Sequence, residues 1–198
     1  FDLYTAYIDA RAVRKKDVGK TLEEMIDLYK SSGDEALKPQ AKVFNTVLLS
    51  LSQDNRNEKS LSDMSINLFR RMSDLGVQPD IKTLNLILKS AIKGKSKDVY
   101  ETSTMLIDLI KTKELQPDSH TLHLIIDACG STPSEHREDA LKRCLSTFGE
   151  IRKQNFVGPI TYGILSKVAY RLLSRGTRAD KVGESLFKLG SYLFKLRS

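Results

Sequence analysis

Two tripeptides in the chain resemble the end of a phosphate-binding loop, Gly-Lys-Thr at Gly19–Thr21 and Gly-Lys-Ser at Gly94–Ser96. In such a loop, backbone N–H groups cradle the phosphates of a nucleotide, and a further glycine stands five places before the Gly-Lys pair. Arg14 and Lys89 occupy those places here, and no strand-like segment precedes either tripeptide. The spacing therefore argues against a nucleotide site.

Thiols, imidazoles and carboxylates are not arranged for metal binding or acid–base catalysis. Cys129 and Cys144 form no Cys-x-x-Cys pair, and His120, His123 and His136 do not complete a four-ligand zinc spacing. No His-x-Glu and Cys-x-x-Cys combination of a deaminase is present, and no close carboxylate cluster suggests a nuclease. We expect no enzymatic activity, no metal and no cofactor, and we interpret the cysteines as buried thiols in a reducing compartment.

The charge balance favours an anionic partner. Lys and Arg total 32 and Asp and Glu total 25, which gives a net charge of +7 spread along 198 residues. Such an excess suits nucleic acid, although many unrelated proteins are equally basic. No apolar run approaches the roughly 18–20 residues that span a bilayer, and no feature indicates a small-molecule substrate. The chain begins at Phe1 rather than Met, so we interpret it as a fragment of a longer protein.

The phrase Gln-Pro-Asp occurs at Gln78–Asp80 and again 38 residues later at Gln116–Asp118. Taken as unit ends, these phrases divide the chain into five units, 1–40, 41–80, 81–118, 119–158 and 159–198. Each unit opens on an amphipathic pattern with a large apolar residue at its fourth place, such as Phe44 or Leu84. A polar break and a second amphipathic segment follow, which predicts a second helix. We name the boundary between one unit and the next the joint, and we expect the proline near each joint to end the second helix.

A repeated helical hairpin predicts a stacked architecture. One hairpin of this size cannot bury its apolar face alone, whereas stacked hairpins share a continuous core. The sequence therefore predicts an all-α solenoid of about five helix-turn-helix repeats of 38–40 residues, forming a single domain over residues 1–198. The first helix of each unit, which we name helix A, is expected to line one surface, with helix B behind it.

The stretch Gln78–Asn85 resembles the joint and opening of the pentatricopeptide repeat family, and Val43–Leu48 and Thr161–Leu165 are similar to further copies. The resemblance covers essentially the whole chain and is strongest in units two and three. It implies a right-handed superhelical solenoid that binds single-stranded RNA in a mitochondrion or chloroplast, with one hairpin addressing one base. The units are three to five residues longer than is usual in the family, and we place this excess in the turn between helices A and B.

The resemblance also implies which residues read the bases. In the family the fifth residue of a unit acts together with its last residue. Carried over by position, the pairs are Thr5 with Gln40, Asn45 with Asp80, Asn85 with Asp118, and His123 with Gly158. The Asn/Asp pairs of units two and three match a combination that favours uracil in the family. The other two pairs, and the unpaired Gly163 of unit five, match no usual combination.

Residues at the second place of each unit sandwich the bases in the family. They map to Asp2, Lys42, Lys82, His120 and Ile160. A structural interpretation of the reading pairs stays open, because an Asn near a helix start can be a solvated or capping residue and an Asp after Pro can cap the next helix.

Basic residues between the two helices of a unit supply candidate phosphate contacts. Lys93, Lys95 and Lys97 form one such basic turn, and Arg11, Arg14, Lys15 and Lys16 form another. A solvated turn is the alternative meaning of such a run of charges. We therefore include Lys93 and Lys95 among the candidate RNA contacts, as side chains that could touch phosphates or ribosomal RNA.

Two functions fit this pattern. The first is an RNA-binding protein that acts in organellar RNA maturation, stability or translation. The second is a scaffold subunit of an organellar ribosome or another large assembly, which would use the solenoid for protein and structured-RNA contacts. The basic charge fits both, and the small number of usual reading pairs favours the second more than it would for a typical family member.

Overall fold

The computed structural model describes residues 18–53, 60–94, 99–154 and 158–174, together with Ala6. Thr5 and Lys95 lie outside the described residues, as do residues 54–59 and 95–98, which include parts of the predicted breaks between helices A and B. Within the described ranges the chain forms α-helices and two short 3₁₀ helices, Glu35–Leu37 and Ser134–His136, and no strand. The α-helices are α1 Val18–Ser32, α2 Ala41–Gln53, α3 Leu61–Asp74, α4 Ile81–Lys93, α5 Val99–Thr112, α6 Ser119–Ser131, α7 Arg137–Lys153 and α8 Pro159–Ser174.

The helices form two layers that alternate along the chain. Helices α2, α4, α6 and α8 begin at the first residues of the proposed units two to five and are their A helices, whereas α1, α3, α5 and α7 are B helices. Each A helix packs against the next A helix, and B helices α1, α3 and α5 also pack against the A helix that follows them. This packing confirms the predicted all-α repeat solenoid. The unit boundaries remain a proposal that the helix starts support, and the hand of the superhelix remains a prediction.

Apolar residues at helical spacing build a core that continues from unit to unit. Phe44, at the fourth place of unit two, is fully buried with Leu22 of the preceding B helix. The equivalent Leu84 lies in a second cluster, and Leu122 lies in a third. Cysteines 129 and 144 are free thiols buried in that third cluster. The fourth-place residues are thus core residues shared between neighbouring hairpins.

The prediction that proline ends each B helix is wrong for α3. This helix ends at Asp74, well before Pro79, and Gly76 with a φ of 66° turns the chain away from the helix axis. The Val77 N–H then donates to the Met72 carbonyl at 3.0 Å, which satisfies one of the last free carbonyls of the helix. Pro79 instead lies in the joint, directly before Asp80, which caps the next A helix.

Candidate nucleic-acid interface

The joint between units two and three is built on a helix cap. Asp80 is the N-cap of α4, and its Oδ1 accepts the Thr83 backbone N–H at 2.7 Å. The Thr83 hydroxyl oxygen accepts the Asp80 backbone N–H at 3.2 Å, which completes a capping box. Two N–H groups that the first helical turn would leave unpaired are therefore satisfied. The interpretation of the aspartate after proline as a cap of the next helix is confirmed.

Asn45 of the preceding unit joins this cap. Its Nδ2 donates to the two carboxylate oxygens of Asp80 at 3.1 and 3.2 Å, and its Oδ1 lies 2.7 Å from the Thr83 hydroxyl. A carboxylate only accepts hydrogen bonds, so the amide nitrogen must face Asp80 and the carbonyl must face Thr83. Asn45 is only 3% exposed. The predicted pair therefore meets within unit two, and a threonine of unit three holds it in place.

The joint between units three and four has the same residue types but a different hydrogen-bond pattern. Asp118 caps α6 by accepting the backbone N–H and the hydroxyl of Thr121, each at 2.7 Å, and the nearby Asn85 side chain helps to lower the pKa of its carboxyl. Asn85 is 8% exposed, and no described residue donates to its Oδ1. The Thr121 hydroxyl thus donates to Asp118 alone, and no described residue donates to the Asn85 carbonyl oxygen.

The joint between units four and five replaces both members of the pair. His123 stands for the asparagine, and its Nε2 lies 2.9 Å from the Thr161 hydroxyl oxygen. Gly158 stands for the aspartate, and its backbone N–H donates to the same oxygen at 3.2 Å. Burial, and the neighbouring charge of His120, lower the pKa of His123, which favours a neutral ring at this contact. The longer histidine thus bridges the units directly where no carboxylate is present.

Sequence reasoning missed the third-place threonines. Thr83, Thr121 and Thr161 are all buried, and each bonds to the joint before it. Their recurrence three places into units three to five was the available signal, but a threonine near a helix start is common for its capping value alone. Unit two carries Val43 at this place and has no hydroxyl to offer the Gln40 joint.

Exposed side chains flank the joints at the N-terminal ends of the A helices. We name this surface the joint row and define it by Gln40, Lys42, Asp80, Lys82, Asp118, His120 and Ile160, all exposed. Basic side chains and carboxylates alternate from Lys42 to His120. The second-place residues predicted to sandwich bases therefore lie beside the caps, and Ile160, which is 69% exposed, offers an apolar face at the end of the row.

Lys93 lies at the other end of its helix. Its Nζ donates to the Ser52 carbonyl in the last turn of α2 at 2.9 Å. At the equivalent place of unit five, Arg171 donates to Asp127 at 3.0 Å and to Ser131 at 3.2 Å. Eleven residues of helix, about 16 Å, separate Lys93 from Lys82. The structure therefore does not bring Lys93 to the joint row, and its cation instead links consecutive A helices at their C-terminal ends.

Neither a membrane helix nor a metal cluster is found in the described ranges. No helix there combines the length and the apolar character that crossing a bilayer requires. No three His, Cys, Asp or Glu side chains in these ranges come together as a metal site.

The two capping carboxylates make stability depend on pH. Burial acts to raise the pKa of Asp80, but hydrogen bonds from Thr83 and Asn45 and the charge of Lys82 outweigh it and hold the pKa below its usual value. Thr121, His120 and Asn85 lower the pKa of Asp118 in the same way. A lowered folded-state pKa stabilises the fold above the unfolded-state pKa of about 3.9, and this stability is lost as pH falls through the folded pKa.

We therefore expect the unfolding free energy to fall on acidification, and the Asp80→Asn variant to lose part of this pH dependence. At neutral pH the variant should be about 1 kcal/mol less stable, because an amide is a weaker cap partner. Urea denaturation followed by circular dichroism between about pH 2 and pH 7 measures both effects. Asp139→Asn, an exposed acid outside the joints, controls for the removed charge. If the Asp80→Asn variant lost as much unfolding free energy on acidification as the parent, Asp80 would not be a source of the pH dependence.

Comparison with known proteins points in the same direction as the residues. No family model matches the chain. A pentatricopeptide repeat-containing protein of Arabidopsis thaliana, described as chloroplastic, is 27% identical over 111 residues, which are 56% of this chain. The chain spans only 12% of the length of that relative. Together with the helical repeat architecture, this similarity makes the chain consistent with a pentatricopeptide-repeat-like protein.

Proposed function

We propose that the chain binds single-stranded RNA along the joint row, with each joint addressing one base. The observation that carries this proposal is the recurrence of one exposed basic side chain beside three consecutive joints. Lys42, Lys82 and His120 stand at the second residue of three consecutive A helices. Consecutive packed helices lie about 8–10 Å apart, so each joint would face a separate nucleotide.

The chemistry of the row suits a single strand. Unpaired bases expose their Watson–Crick edges, which amide and carboxylate groups can bind, whereas a duplex hides them. Lysine stems can pack on the base faces while the ammonium groups approach the phosphates, which supply most of the affinity. The excess of 32 basic over 25 acidic residues supports the same partner.

We place this RNA binding in an organelle, in the maturation, stability or translation of organellar transcripts. The similarity to a protein described as chloroplastic supports the location. A scaffold subunit of a large assembly would bind its partners without the joint row at the N-terminal ends of the A helices. The two functions are therefore separable by mutation.

A charge-matched pair of double variants tests the proposal. Lys42→Gln with Lys82→Gln removes two charges from the joint row, and Lys30→Gln with Lys111→Gln removes two exposed charges from B helices. We expect the first pair to weaken binding to a labelled single-stranded RNA. The slope of log K against log salt should fall by about 0.7 for each phosphate that the protein no longer neutralises. The second pair should leave affinity and slope near those of the parent.

Fluorescence anisotropy with a single-stranded oligonucleotide and a hairpin of equal length gives the readout. Equal decreases in affinity in both double variants would indicate general electrostatic attraction and not a binding row. Tight hairpin binding that survives the joint-row substitutions would favour the scaffold function instead.

A further inference from the structure

A carboxylate in the A layer is held by two cations of the next unit. Asp127 of α6 lies 3.0 Å from the Lys167 Nζ and accepts a hydrogen bond from the Arg171 guanidinium at 3.0 Å, and both cations belong to α8. We propose, on the basis of the proposed RNA binding, that Asp127 sets where the bound strand ends. By neutralising the cations of unit five, it confines the RNA to the units before it.

Asp127 belongs to a second row of side chains that runs beside the joint row. The ninth residues of units two to five, which we name the middle row, are Leu49, Lys89, Asp127 and Lys167. Each stands seven residues after a second-place residue, and seven residues make about two helical turns. The two rows therefore lie on one face of the A helices, roughly 10 Å apart along the helix axis. Asp127 is partly buried in this row, and the other three side chains are exposed.

The middle row is placed to meet the phosphates of a strand whose bases lie at the joint row. The sugar and phosphate of a nucleotide extend away from the edge of its base, so the backbone must pass to one side of the joint row. On the side of the middle row, the exposed Lys89 offers a phosphate contact in unit three. Lys167 repeats this side chain in unit five, but its ammonium group is already bound to Asp127.

The helix before unit three has no acid at the corresponding place. The ninth residue of that helix is Leu49, which has no charge, whereas the ninth residue of the helix before unit five is Asp127. A phosphate that approached Lys167 would meet a carboxylate as well as the ammonium group, and it would have to replace that carboxylate as the partner of the lysine. We therefore expect the strand to be bound more weakly at unit five than at unit three.

The ion pairs of Asp127 are poor candidates for a purely structural role. The Lys167 side chain is 48% exposed and the Arg171 side chain is 32% exposed. Ion pairs that are this exposed contribute little to stability, because water screens the charges and two long side chains must be immobilised. Arg171 also donates to Ser131 at 3.2 Å, so Lys167 is the cation that loss of the carboxylate would release for a phosphate.

Asp127→Asn tests the inference, since it removes the charge and keeps the shape of the side chain. Binding to labelled oligouridylates of increasing length, measured by fluorescence anisotropy, gives the length at which affinity stops rising. We expect the variant to reach this plateau one nucleotide later than the parent. For oligonucleotides beyond the plateau, the slope of log K against log salt should steepen by about 0.7, the value for one more neutralised phosphate of a single strand.

Asp139→Asn is the matched control. Asp139 is also paired with a lysine, at 3.6 Å from the Lys142 Nζ, but it lies on the B helix α7. The control variant therefore loses the same charge and releases a lysine outside the A layer. It should leave the plateau length and the salt slope at the parent values.

Substitution of the lysines tests the same inference from the other side. Lys89→Gln should reduce the salt slope of the parent by about 0.7, because it removes a phosphate contact. Lys167→Gln should change the slope of the parent little, since Asp127 already holds that lysine. Added to the Asp127→Asn variant, Lys167→Gln should abolish the gain in both plateau length and slope.

An unchanged plateau length in Asp127→Asn, or an equal gain in slope from Asp139→Asn, would overturn the inference while RNA binding itself stands. Equal losses from Lys89→Gln and Lys167→Gln would also overturn it, and this comparison decides the matter even where the Asp127 variant does not fold. If the parent binds no oligonucleotide of any length, the proposed function fails together with the inference.

Discussion

Replacing Phe44 by alanine is expected to destabilise the solenoid by about 3–5 kcal/mol. Phe44 is fully buried, and its cluster joins Leu22 and Ile26 of α1 to Met72 of α3. The ring therefore ties the B helix of unit one to both helices of unit two. Truncation removes the apolar contact area and leaves a cavity that three helices cannot all close, so the destabilisation should lie in the upper range for a core substitution.

The position of the damage is as informative as its size. In a stack where each unit contacts only its neighbours, a disrupted interface weakens the adjoining units most. Hydrogen exchange should therefore quicken in α1–α3 while α6 and α7 keep most of their protection. Leu49→Ala is the control on the same helix, since Leu49 is 37% exposed and should change stability by less than about 1 kcal/mol. Equal acceleration in all helices would contradict a nearest-neighbour solenoid.

The architecture was predictable because the same physical requirement recurs at a fixed period. A hairpin that needs a large apolar residue at its fourth place repeats that residue in every unit, as Phe44, Leu84 and Leu122 do. A pattern that is too weak to identify a helical hairpin in one unit becomes specific when it recurs in every unit. Termination of the B helices was not predictable in the same way, because a proline was the visible marker while a left-handed residue such as Gly76 ends the helix.

The resemblance paired Asn45 with Asp80 by position, and the structure joins the two side chains at 3.1 Å. Their role in binding a base stays a prediction, and the hydrogen bonds around them could not be predicted. The direction of a threonine hydroxyl depends on shifts of a few tenths of an ångström, which no residue spacing encodes. Lys93 shows a related limit, since a basic turn indicates positive charge but not that its cation binds the Ser52 carbonyl.

The contacts between B helices could not be predicted from the repeated sequence pattern either. Arg143 of α7 donates to Ser103 and Thr104 of α5 at 2.7 and 2.8 Å, and its guanidinium lies over the Tyr100 ring. His136 stacks on the same ring with a centroid distance of 4.2 Å. The places equivalent to Arg143 hold Met25, Ser65 and Met105 in the earlier units. This contact is therefore particular to one pair of units, whereas the joints recur along the stack.

Gly130→Ala is expected to destabilise the protein by about 1–2 kcal/mol, although alanine is the better helix former. A Cβ at residue 130 of α6 would lie 2.9 Å from the Val168 Cγ2 and 3.2 Å from the Val168 Cα of α8. Rotation of the valine side chain can relieve the first contact but not the second, so the two A helices must move apart. Overpacking of this kind costs about 1–3 kcal/mol and exceeds the roughly 0.5–1 kcal/mol that alanine gains in a helix interior.

Gly149→Ala should have the opposite sign. Gly149 lies within α7, and a Cβ there would meet no atom within 4 Å, so only the gain of about 0.5–1 kcal/mol in helix propensity remains. Urea denaturation of both variants measures the two changes under identical conditions. Adding Val168→Ala to the Gly130 variant should restore only part of the stability, because the contact with the α8 backbone persists. Stabilisation by Gly130→Ala would show that α6 and α8 are not held at this separation, and the joint between His123 and Thr161, which depends on it, would lose its support.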